Sequence, residues 1–371
     1  MKVLIAAGGT GGHVNPALAV AGEIKKQYPD AEICFVGTSD RIEAKIVPAA
    51  GFPLKTIEIS GFKRGFSVAD IKANVKTVTR LLKSSGAVKK IINEFKPDVV
   101  VGFGGYVSGP VVRMAAKMGI PTAIHEQNAY PGVTNKALAE KVDAVMLTAE
   151  EAKKHLNCKN EPILTGLPVR GELLEAVSQA SRKELGFNDN PIILCMGGSL
   201  GAKVINEAIV KVLVSHKDDS CFNYIVSTGQ NGLGVPDKLK ENGVDFENSA
   251  NIQIRPYIND MARCLSAADL VICRAGASSL SEIQAMGKPS ILIPSPNVTE
   301  NHQYHNAMAL VNKNAAVIIE EKDLTGERLN DEINSLMADK VRLSSIGKNA
   351  RGMAVIDATS RICDIVVSLI K

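Results

Sequence analysis

The chain has 371 residues, which suffices for two domains of roughly 150 residues each and excludes a single small binding module. Apolar residues make up 45% and charged residues 22%, as in soluble globular enzymes and unlike disordered chains, while 4% aromatics and no Trp argue against a stacking platform for nucleic acid. The net charge is only +4, but residues 1–165 carry 22 Lys and Arg against 15 Asp and Glu, so the basic excess lies in the first half.

A strand, a glycine turn and a helix open the chain. Met1–Ala7 is apolar but too short for a signal peptide, Gly8–Gly12 is a turn, and apolar residues at helical spacing follow from Val14. The same order recurs at Pro191–Met196, followed by Gly197–Gly201. This repeat predicts two similar α/β domains in tandem. No apolar stretch approaches the roughly 18 residues that span a bilayer, so an integral membrane protein is not expected.

Short apolar strands alternate with helices in both halves of the chain, which predicts parallel sheets covered by helices on both faces. Glycine and proline in Thr165–Gly171 indicate a domain boundary, and Ser360–Ile370 predicts an apolar helix whose packing partner the pattern leaves open. The seven cysteines include no Cys-x-x-Cys pair and predict buried free thiols in a reducing cytosol. The further predicted strands are Glu32–Val36, Asp98–Val101, Thr122–His125, Ala144–Leu147, Asn223–Ser227, Leu270–Cys273, Ser290–Ile293 and Ala316–Ile319.

Two glycine clusters follow strands of the first domain. Ligands of open parallel sheets bind at the carboxyl ends of the strands, where helix N-termini present free N–H groups. Gly8–Gly12 lacks the dinucleotide pattern, because Val14 replaces the third glycine and Gly37-Thr38-Ser39 offers no acidic residue after the second strand, so NAD is disfavoured. The second cluster, Gly102–Pro110, is expected to converge with the first on a phosphate or diphosphate. Tight strand-to-helix packing is the alternative interpretation.

Three polar segments also follow predicted strands. His125–Asn128 indicates an active-site segment, with a surface turn as the alternative. Ser278–Glu282 supplies small hydroxyl residues and a carboxylate that suit a ribose, with a capping box as the alternative. Glu300–Asn306 supplies amide and imidazole groups that suit a sugar. His302 and His305 have no evident third ligand and Asp-x-Asp is absent from the chain, so no metal or other cofactor is expected.

Four motifs occur in this order along the chain: Gly8-Gly9-Thr10-Gly11-Gly12-His13, Gly104-Gly105-Tyr106, His125-Glu126-Gln127-Asn128, and Arg274-Ala275-Gly276-Ala277 followed by Ser281-Glu282. Together they resemble the cytoplasmic N-acetylglucosaminyltransferases of peptidoglycan synthesis, the MurG family, over nearly the whole chain. The resemblance implies an α/β GT-B fold, in which two Rossmann-like doubly wound parallel-sheet domains face a cleft. It implies an acceptor and membrane-facing domain over residues 1–166, completed by a helix at about 355–371, and a UDP-sugar donor domain over residues 167–354.

The resemblance also implies roles for individual residues. Those implied to face the donor sugar are Thr10, Gly11, Gly12 and Asn128, and the loop implied for the acceptor diphosphate is Gly104, Gly105 and Tyr106. The implied donor diphosphate contacts are Arg170 and Ser199, the uracil contact is Ile258, and a sugar ligand is Gln303. The implied nucleoside loop is Ala277, Ser278, Ser279, Leu280, Ser281 and Glu282, with Glu282 on the ribose. His302 stands where some relatives carry a second Gln, so its contribution to sugar recognition stays open.

The implied reaction transfers N-acetylglucosamine from UDP-N-acetylglucosamine to the C4 hydroxyl of undecaprenyl-diphosphate-muramoyl-pentapeptide, with inversion, to form lipid II. Its base is His13, at the positive end of the first helix where a neutral imidazole is favoured, or Glu126. Arg170 and N–H groups near Ser199 are expected to stabilise the leaving diphosphate in place of a metal. The alternatives are another GT-B glycolipid glycosyltransferase, acting on a diacylglycerol or small aglycone, and a non-catalytic UDP-sugar sensor.

A basic segment of the first domain favours a membrane surface as a partner. Nine Lys or Arg lie between Lys63 and Lys96 against Asp70 and Glu94, around an apolar stripe at helical spacing. Such a helix suits an anionic membrane, although a stripe that faces the core is the alternative. We therefore expect peripheral location on the cytoplasmic face of the cell membrane, with cell-wall synthesis proteins as further partners. The stripe residues are Ile71, Val75, Val78 and Leu82.

Overall fold

The computed structural model describes residues 1–59, 85–218 and 221–370. The chain folds into two compact units, Met1–Pro168 with Ile356–Lys371 and Val169–Val355. Each unit contains one sheet of parallel strands with helices on its faces, so the predicted doubly wound α/β class is confirmed. The apolar stripe from Ile71 to Leu82 and the basic residues from Lys63 to Lys83 lie outside the described residues.

Among its described residues, the first unit contains seven parallel strands and five α-helices before Pro168. The strands are β1 Lys2–Ala6, β2 Glu32–Gly37, β3 Leu54–Thr56, β4 Val99–Gly102, β5 Thr122–Glu126, β6 Ala144–Leu147 and β7 Ile163–Leu164. The helices are α1 Gly11–Gln27, α2 Glu43–Ala49, α3 with residues 85–95 described, α4 Ser108–Lys117 and α5 Val133–Leu138. The strand order is β3-β2-β1-β4-β5-β6-β7, so the direction of strand succession reverses between β1 and β4.

The second unit repeats this plan with six parallel strands. The strands are β8 Ile192–Met196, β9 Asn223–Ser227, β10 Ile252–Arg255, β11 Leu270–Cys273, β12 Ser290–Leu292 and β13 Val317–Ile318. The helices are α6 Gly171–Glu175, α7 Ser178–Glu184, α8 Lys203–Ser215, α9 Val235–Glu241, α10 Met261–Ala267, α11 Ala277–Met286, α12 His302–Val311, α13 Gly326–Ala338 and α14 Lys340–Gly352. The order β10-β9-β8-β11-β12-β13 reverses between β8 and β11. Such reversal points are where open α/β sheets bind ligands.

Helix α15, Ala358–Ser368, completes the core of the first unit. Alternate residues of β1 point to opposite faces of the sheet, so Val3 and Ile5 pack with α1 and α15, while Leu4 packs on the face that α3 and α4 cover. The α15 side chains in this core are Ile362, Cys363 and Val366, and all three are buried.

The cysteines depart in part from the expectation of buried thiols. Five are buried, but Cys158 is half-buried and Cys221 is exposed, so the expectation is wrong for these two. All seven are free. Within the described part of the chain, no helix combines the length and the apolar character needed to cross a membrane.

Candidate active site

The glycine loops that follow β1 and β4 touch each other at the reversal point of the first sheet. A Cβ atom on Gly105 would lie 2.3 Å from the carbonyl oxygen of Gly8, and one on Gly104 would lie 2.7 Å from Cδ2 of His13. Both loop glycines have positive φ, 99° at Gly104 and 77° at Gly105, which side chains other than hydrogen disfavour. The predicted approach of the two loops is therefore confirmed, and the phosphate or diphosphate expected between them stays a prediction.

His13 lies in the first turn of α1 with its ring held by the loop that precedes the helix. Its Nδ1 is 3.1 Å from the carbonyl oxygen of Gly8 and 3.2 Å from Oγ1 of Thr10. A carbonyl oxygen only accepts hydrogen bonds, which assigns the proton of the neutral ring to Nδ1. In that tautomer the basic lone pair is on Nε2, the atom that a general base uses.

A buried carboxylate under the same loop was not found from the sequence. Glu43, the first residue of α2, is fully buried, and its Oε2 accepts the N–H of Gly9 at 3.0 Å. Its Oε1 accepts the N–H of Thr38 at 3.0 Å and the hydroxyl of Thr38 at 2.9 Å. A Cβ atom on Gly8 or Gly37 would lie 2.6 Å from Glu43 side-chain atoms, so both glycines leave room for this carboxylate.

Glu126 at the end of β5 organises the segment that follows it. Its Oε1 accepts the backbone N–H of Asn128 at 2.9 Å and the side-chain amide of Asn128 at 3.1 Å. Its Oε2 accepts the N–H of Gly132 at 3.0 Å and the side-chain amide of Asn135 at 2.8 Å. Glu126 is buried, and each of its oxygens accepts two hydrogen bonds, three in all from this loop and one from α5.

His125 is fully buried beside this loop, stacked on Phe103 with ring centroids 5.6 Å apart. Its Nε2–H donates to the carbonyl oxygen of Gly166 at 2.8 Å, and its Nδ1 accepts from the side chain of Gln127 at 3.2 Å. Burial lowers the pKa of His125 to about 4, although the bond to Gly166 acts in the opposite direction. The surface-turn interpretation of this segment is therefore wrong for His125, Glu126 and Gln127, which are all buried.

In the second unit, the glycine loop after β8 opens into a polar cavity of about 450 Å³. The cavity brings together Ser199 and Gln303, two residues that the resemblance implied as donor contacts, and adds side chains to which the sequence analysis gave no role. Helix α8 begins at the cavity with no side chain capping its first turn, so its N–H groups remain available to an anion. The added polar and charged lining side chains are Lys203, Arg274, Ser295, Asn297 and Glu321.

Three charged side chains line this cavity, Lys203, Arg274 and Glu321, and the last two form an ion pair. Arg274 contacts Oε2 of Glu321 at 2.5 Å and donates to the carbonyl oxygen of Ile293 at 3.1 Å. Oε1 of Gln303 accepts the N–H of Ser295 at 2.9 Å, which fixes that amide at the cavity. His302 instead donates from Nδ1 to the carbonyl oxygen of Thr299 at 2.8 Å and does not line the cavity.

Arg170 is not among the side chains that line the cavity. Its Nε donates to Oε1 of Glu282 at 3.0 Å, so two residues implied for different parts of the donor are bonded to each other. Burial raises the pKa of Glu282, while the charge of Arg170 opposes that rise. Helix α11 begins at Ala277 and no side chain caps it, so the capping-box interpretation of this segment is wrong.

The remaining implied residues fall into accessible and buried groups. Thr10 and Gly12 are exposed, and the Tyr106 side chain is 59% exposed, so the first-unit loops are open to a ligand. Leu280, Ser281 and Ile258 are buried. Ala277, Ser278 and Ser279 are half-buried in the first turn of α11. In residues 1–59, 85–218 and 221–370, no group of three or more His, Cys, Asp or Glu is placed to hold a metal ion.

Two family models cover most of the chain. Residues 3–147 match the glycosyltransferase family 28 N-terminal domain, and residues 192–362 match the glycosyltransferase family 28 C-terminal domain. The chain belongs to glycosyltransferase family 28. Each unit has one sheet whose strand order reverses once, with a glycine loop at the reversal point. The two units are the N-terminal and C-terminal domains of a family 28 enzyme with the GT-B fold that the resemblance implied.

Relatives within family 28 match along the whole chain. The chain is 46% identical over its full length to a UDP-N-acetylglucosamine–N-acetylmuramyl-(pentapeptide) pyrophosphoryl-undecaprenol N-acetylglucosamine transferase of Acetivibrio thermocellus, of which it covers 99%. It is 44% identical to the protein of the same name from a Thermoanaerobacter species, with full coverage of both chains. The crystal structure of Acinetobacter baumannii MurG is similar at a TM-score of 0.79 and 32% identity over 99% of each chain. The MurG resemblance is therefore confirmed.

Proposed function

We propose that this family 28 enzyme transfers N-acetylglucosamine from UDP-N-acetylglucosamine to the C4 hydroxyl of the muramoyl unit of undecaprenyl-diphosphate-muramoyl-pentapeptide, forming lipid II. The substrates come from the name of the full-length relatives. One observation favours catalysis over a UDP-sugar sensor. Nδ1 of His13 is bonded to the carbonyl oxygen of Gly8, which places the basic lone pair of the neutral ring on Nε2.

In the proposed mechanism, Nε2 of His13 removes the proton of the acceptor hydroxyl as its oxygen attacks the anomeric carbon. The bond from that carbon to the diphosphate oxygen breaks, and the electron pair leaves with UDP. Attack from the face opposite the leaving group inverts an α donor to a β product. Glu126, which accepts four hydrogen bonds from the following loop and α5, supports Asn128 in this mechanism and does not act as the base.

The second unit is proposed to bind the donor. Its glycine loop at Ser199 and the N-terminus of α8 are suited to the diphosphate, because N–H groups and the helix dipole favour negative charge. Arg274 and Arg170 supply positive charge, Glu282 binds the ribose and Gln303 a sugar hydroxyl. Uracil lies at the Ile258 segment in this assignment. Residues 167–354 are thus assigned to the donor and residues 1–166, with the C-terminal helix, to the acceptor.

The acceptor assignment extends to the membrane. A lipid-linked acceptor requires the enzyme to work at a bilayer, and the first half of the chain carries the basic excess. We assign peripheral binding to an anionic membrane on its cytoplasmic face, with proteins of cell-wall synthesis as neighbours. Electrostatic attraction of this kind weakens with salt, because the Debye length falls from about 8 Å at physiological ionic strength to about 3 Å at 1 M.

A UDP-release assay tests the proposal directly. The full-length enzyme is given UDP-N-acetylglucosamine with either a short-chain polyprenyl-diphosphate-muramoyl-pentapeptide or a diacylglycerol, and other UDP-sugars serve as donor controls. We expect UDP release only with the muramoyl acceptor and the N-acetylglucosamine donor. Release with diacylglycerol would indicate a different glycolipid glycosyltransferase. Tight UDP-sugar binding without release on either acceptor would indicate a sensor.

A further inference from the structure

One peptide group joins Glu43 to His13. The carbonyl oxygen of Gly8 accepts from Nδ1 of His13 at 3.1 Å, and the N–H of Gly9, at the other end of the same peptide bond, donates to Oε2 of Glu43 at 3.0 Å. The carboxylate, the peptide and the imidazole therefore form a continuous chain of hydrogen bonds. Each bond of such a chain polarises the next.

We propose that Glu43 is a positioning residue that acts on His13 through the Gly8–Gly9 peptide. This rests on the proposed function, in which His13 is the base. The carboxylate fixes the peptide plane and thereby the Nδ1–H tautomer. Its negative charge makes the Gly8 carbonyl a stronger acceptor and stabilises the imidazolium that forms when Nε2 takes the acceptor proton. In Ser-His-Asp enzymes the carboxylate contacts the imidazole directly, whereas here a peptide lies between them.

The packing around Glu43 is built for a charged group and not for a chance contact. The side chain is fully buried, and three donors converge on its two oxygens. A buried carboxylate is stable only where hydrogen bonds replace its hydration. Gly8 and Gly37 leave the space that it fills, since a Cβ atom at either position would lie 2.6 Å from Glu43 atoms. No proton moves to Glu43 in this scheme, because Nδ1 keeps its own.

Few other titratable groups lie on the elements around His13. Helix α1 carries none besides His13 before Glu23. The end of β5 carries His125, which stays neutral above about pH 4, and Glu126, which is bonded to its own loop. The loop before α2 carries an exposed pair of opposite charge, and the loop after β4 carries a phenol. These last groups are Asp40, Arg41 and Tyr106.

The test compares Glu43→Gln with Thr38→Val in the full-length enzyme. Glu43→Gln keeps the volume and removes the charge, whereas Thr38→Val removes one hydrogen bond to the same carboxylate and keeps the charge. In Glu43→Gln, we expect kcat to fall by roughly tenfold at neutral pH and the acidic limb of the kcat–pH profile to move down by about half to one unit, because the imidazolium loses the negative charge at the far end of the Gly8–Gly9 peptide. Thr38→Val should leave that limb in place.

A purely structural role would lower activity in Glu43→Gln without moving the acidic limb, and that result would overturn the inference. Wild-type turnover by His13→Ala would instead overturn the proposed base and the inference with it. Loss of turnover in His13→Ala with an unmoved limb in Glu43→Gln would overturn the inference alone. If Glu43→Gln does not fold, ¹⁵N spectra of wild-type histidine rings decide, with His13 assigned through His13→Gln. The Nδ1–H tautomer is expected, and Nε2–H would contradict the proposal.

Discussion

The glycine loops after β1 and after β8 occupy the same place in their sheets but differ in the charged side chains beside them. The first loop donates the N–H of Gly9 to the protein's own carboxylate, Glu43. The second loop borders the cavity that contains Arg274, and within the described part of the chain no carboxylate accepts a hydrogen bond from Gly197–Gly201. An internal anion therefore occupies a donor of the first loop, whereas in the second loop the N–H of Gly201 donates to the carbonyl oxygen of Gly198 and no carboxylate among the described residues takes a donor.

This difference shows that a glycine loop at a strand end does not by itself indicate a phosphate site. Glycine at 201 is required for packing, because a Cβ atom there would lie 2.1 Å from the carbonyl oxygen of Thr228. Glycine at 8 is required to admit a carboxylate. In the proposed mechanism, the first loop therefore positions the base His13, and the second loop binds an anionic part of the donor. Four predictions test this division of labour.

The largest effect is expected at the first loop. His13→Ala should lower kcat by roughly 10²–10⁴-fold, the usual effect of removing a general base, with the dissociation constant for UDP unchanged. Steady-state kinetics together with calorimetric titration of UDP measure both quantities. A loss of UDP affinity comparable with the loss of kcat would abolish the distinction between the loops.

At the second loop, loss of the Arg274 guanidinium should affect ligand binding instead of kcat. The double variant Arg274→Gln/Glu321→Gln removes the ion pair without leaving Glu321 charged and unpaired. We expect the dissociation constant for UDP to rise by roughly 10–100-fold, as charge-assisted hydrogen bonds are lost, while that for uridine stays constant. Arg263→Gln, which removes ion pairs with Glu184 and Asp260 away from the cavity lining, is the matched control and should change neither. Equal weakening of uridine would place Arg274 away from the diphosphate.

Acid should destabilise the first unit through His125. Its pKa is about 4 in the folded chain against an ordinary value near 6.5, so the unfolded state binds more protons between these values and stability falls as pH decreases through that window. The loss should be about 2 kcal/mol at pH 5, measured as the change in unfolding free energy from pH 7. His125→Gln should flatten this dependence. An unchanged slope in that variant would assign the acid sensitivity to other groups.

The smallest effect concerns Glu282, whose carboxylate is proposed to bind the ribose of the donor. Glu282→Gln should raise the KM for the UDP-sugar by about tenfold, because charge-assisted bonds to the ribose weaken. Burial raises the pKa of Glu282, so donor affinity in the wild type should decline on acidification earlier than for an ordinary glutamate. The pH dependence of donor KM in the two proteins measures this. A 2′-deoxyribose donor should reduce the difference between them, and an unchanged difference would contradict ribose binding.

The sequence was most informative where buried strands are apolar throughout. All ten predicted strands are present, because residues buried on both faces of a sheet form continuous apolar runs. The three strands that were missed are β3, β7 and β10, which are edge strands without such a run, and every side chain in them except Ile252 is half-buried or exposed. The helix of Glu282 was predicted, but its start was not, because Ser-x-x-Glu matches a cap by pattern alone.

The site was predicted less completely than the fold. Strand ends identified Gly8–Gly12, His125–Asn128 and Ser278–Glu282, since a parallel sheet brings such loops to one edge. Glu43 gave no signal, because its function in the loop depends on a fold that buries the side chain beneath Gly8, and a single acidic residue after a strand has no pattern. Arg274, which follows β11 directly, was part of the fourth motif, but the sequence did not show that its side chain lines the cavity of the second unit.

The packing of α15 on α1 determines the order in which this protein can mature during translation. The core of the first unit lacks Ile362, Cys363 and Val366 until the ribosome has made the whole of Val169–Val355. At bacterial and eukaryotic elongation rates, that interval lasts roughly ten to forty seconds. The second unit has all of its own residues when α15 emerges. The first unit is made earlier, but the apolar surface that α15 covers stays exposed until then.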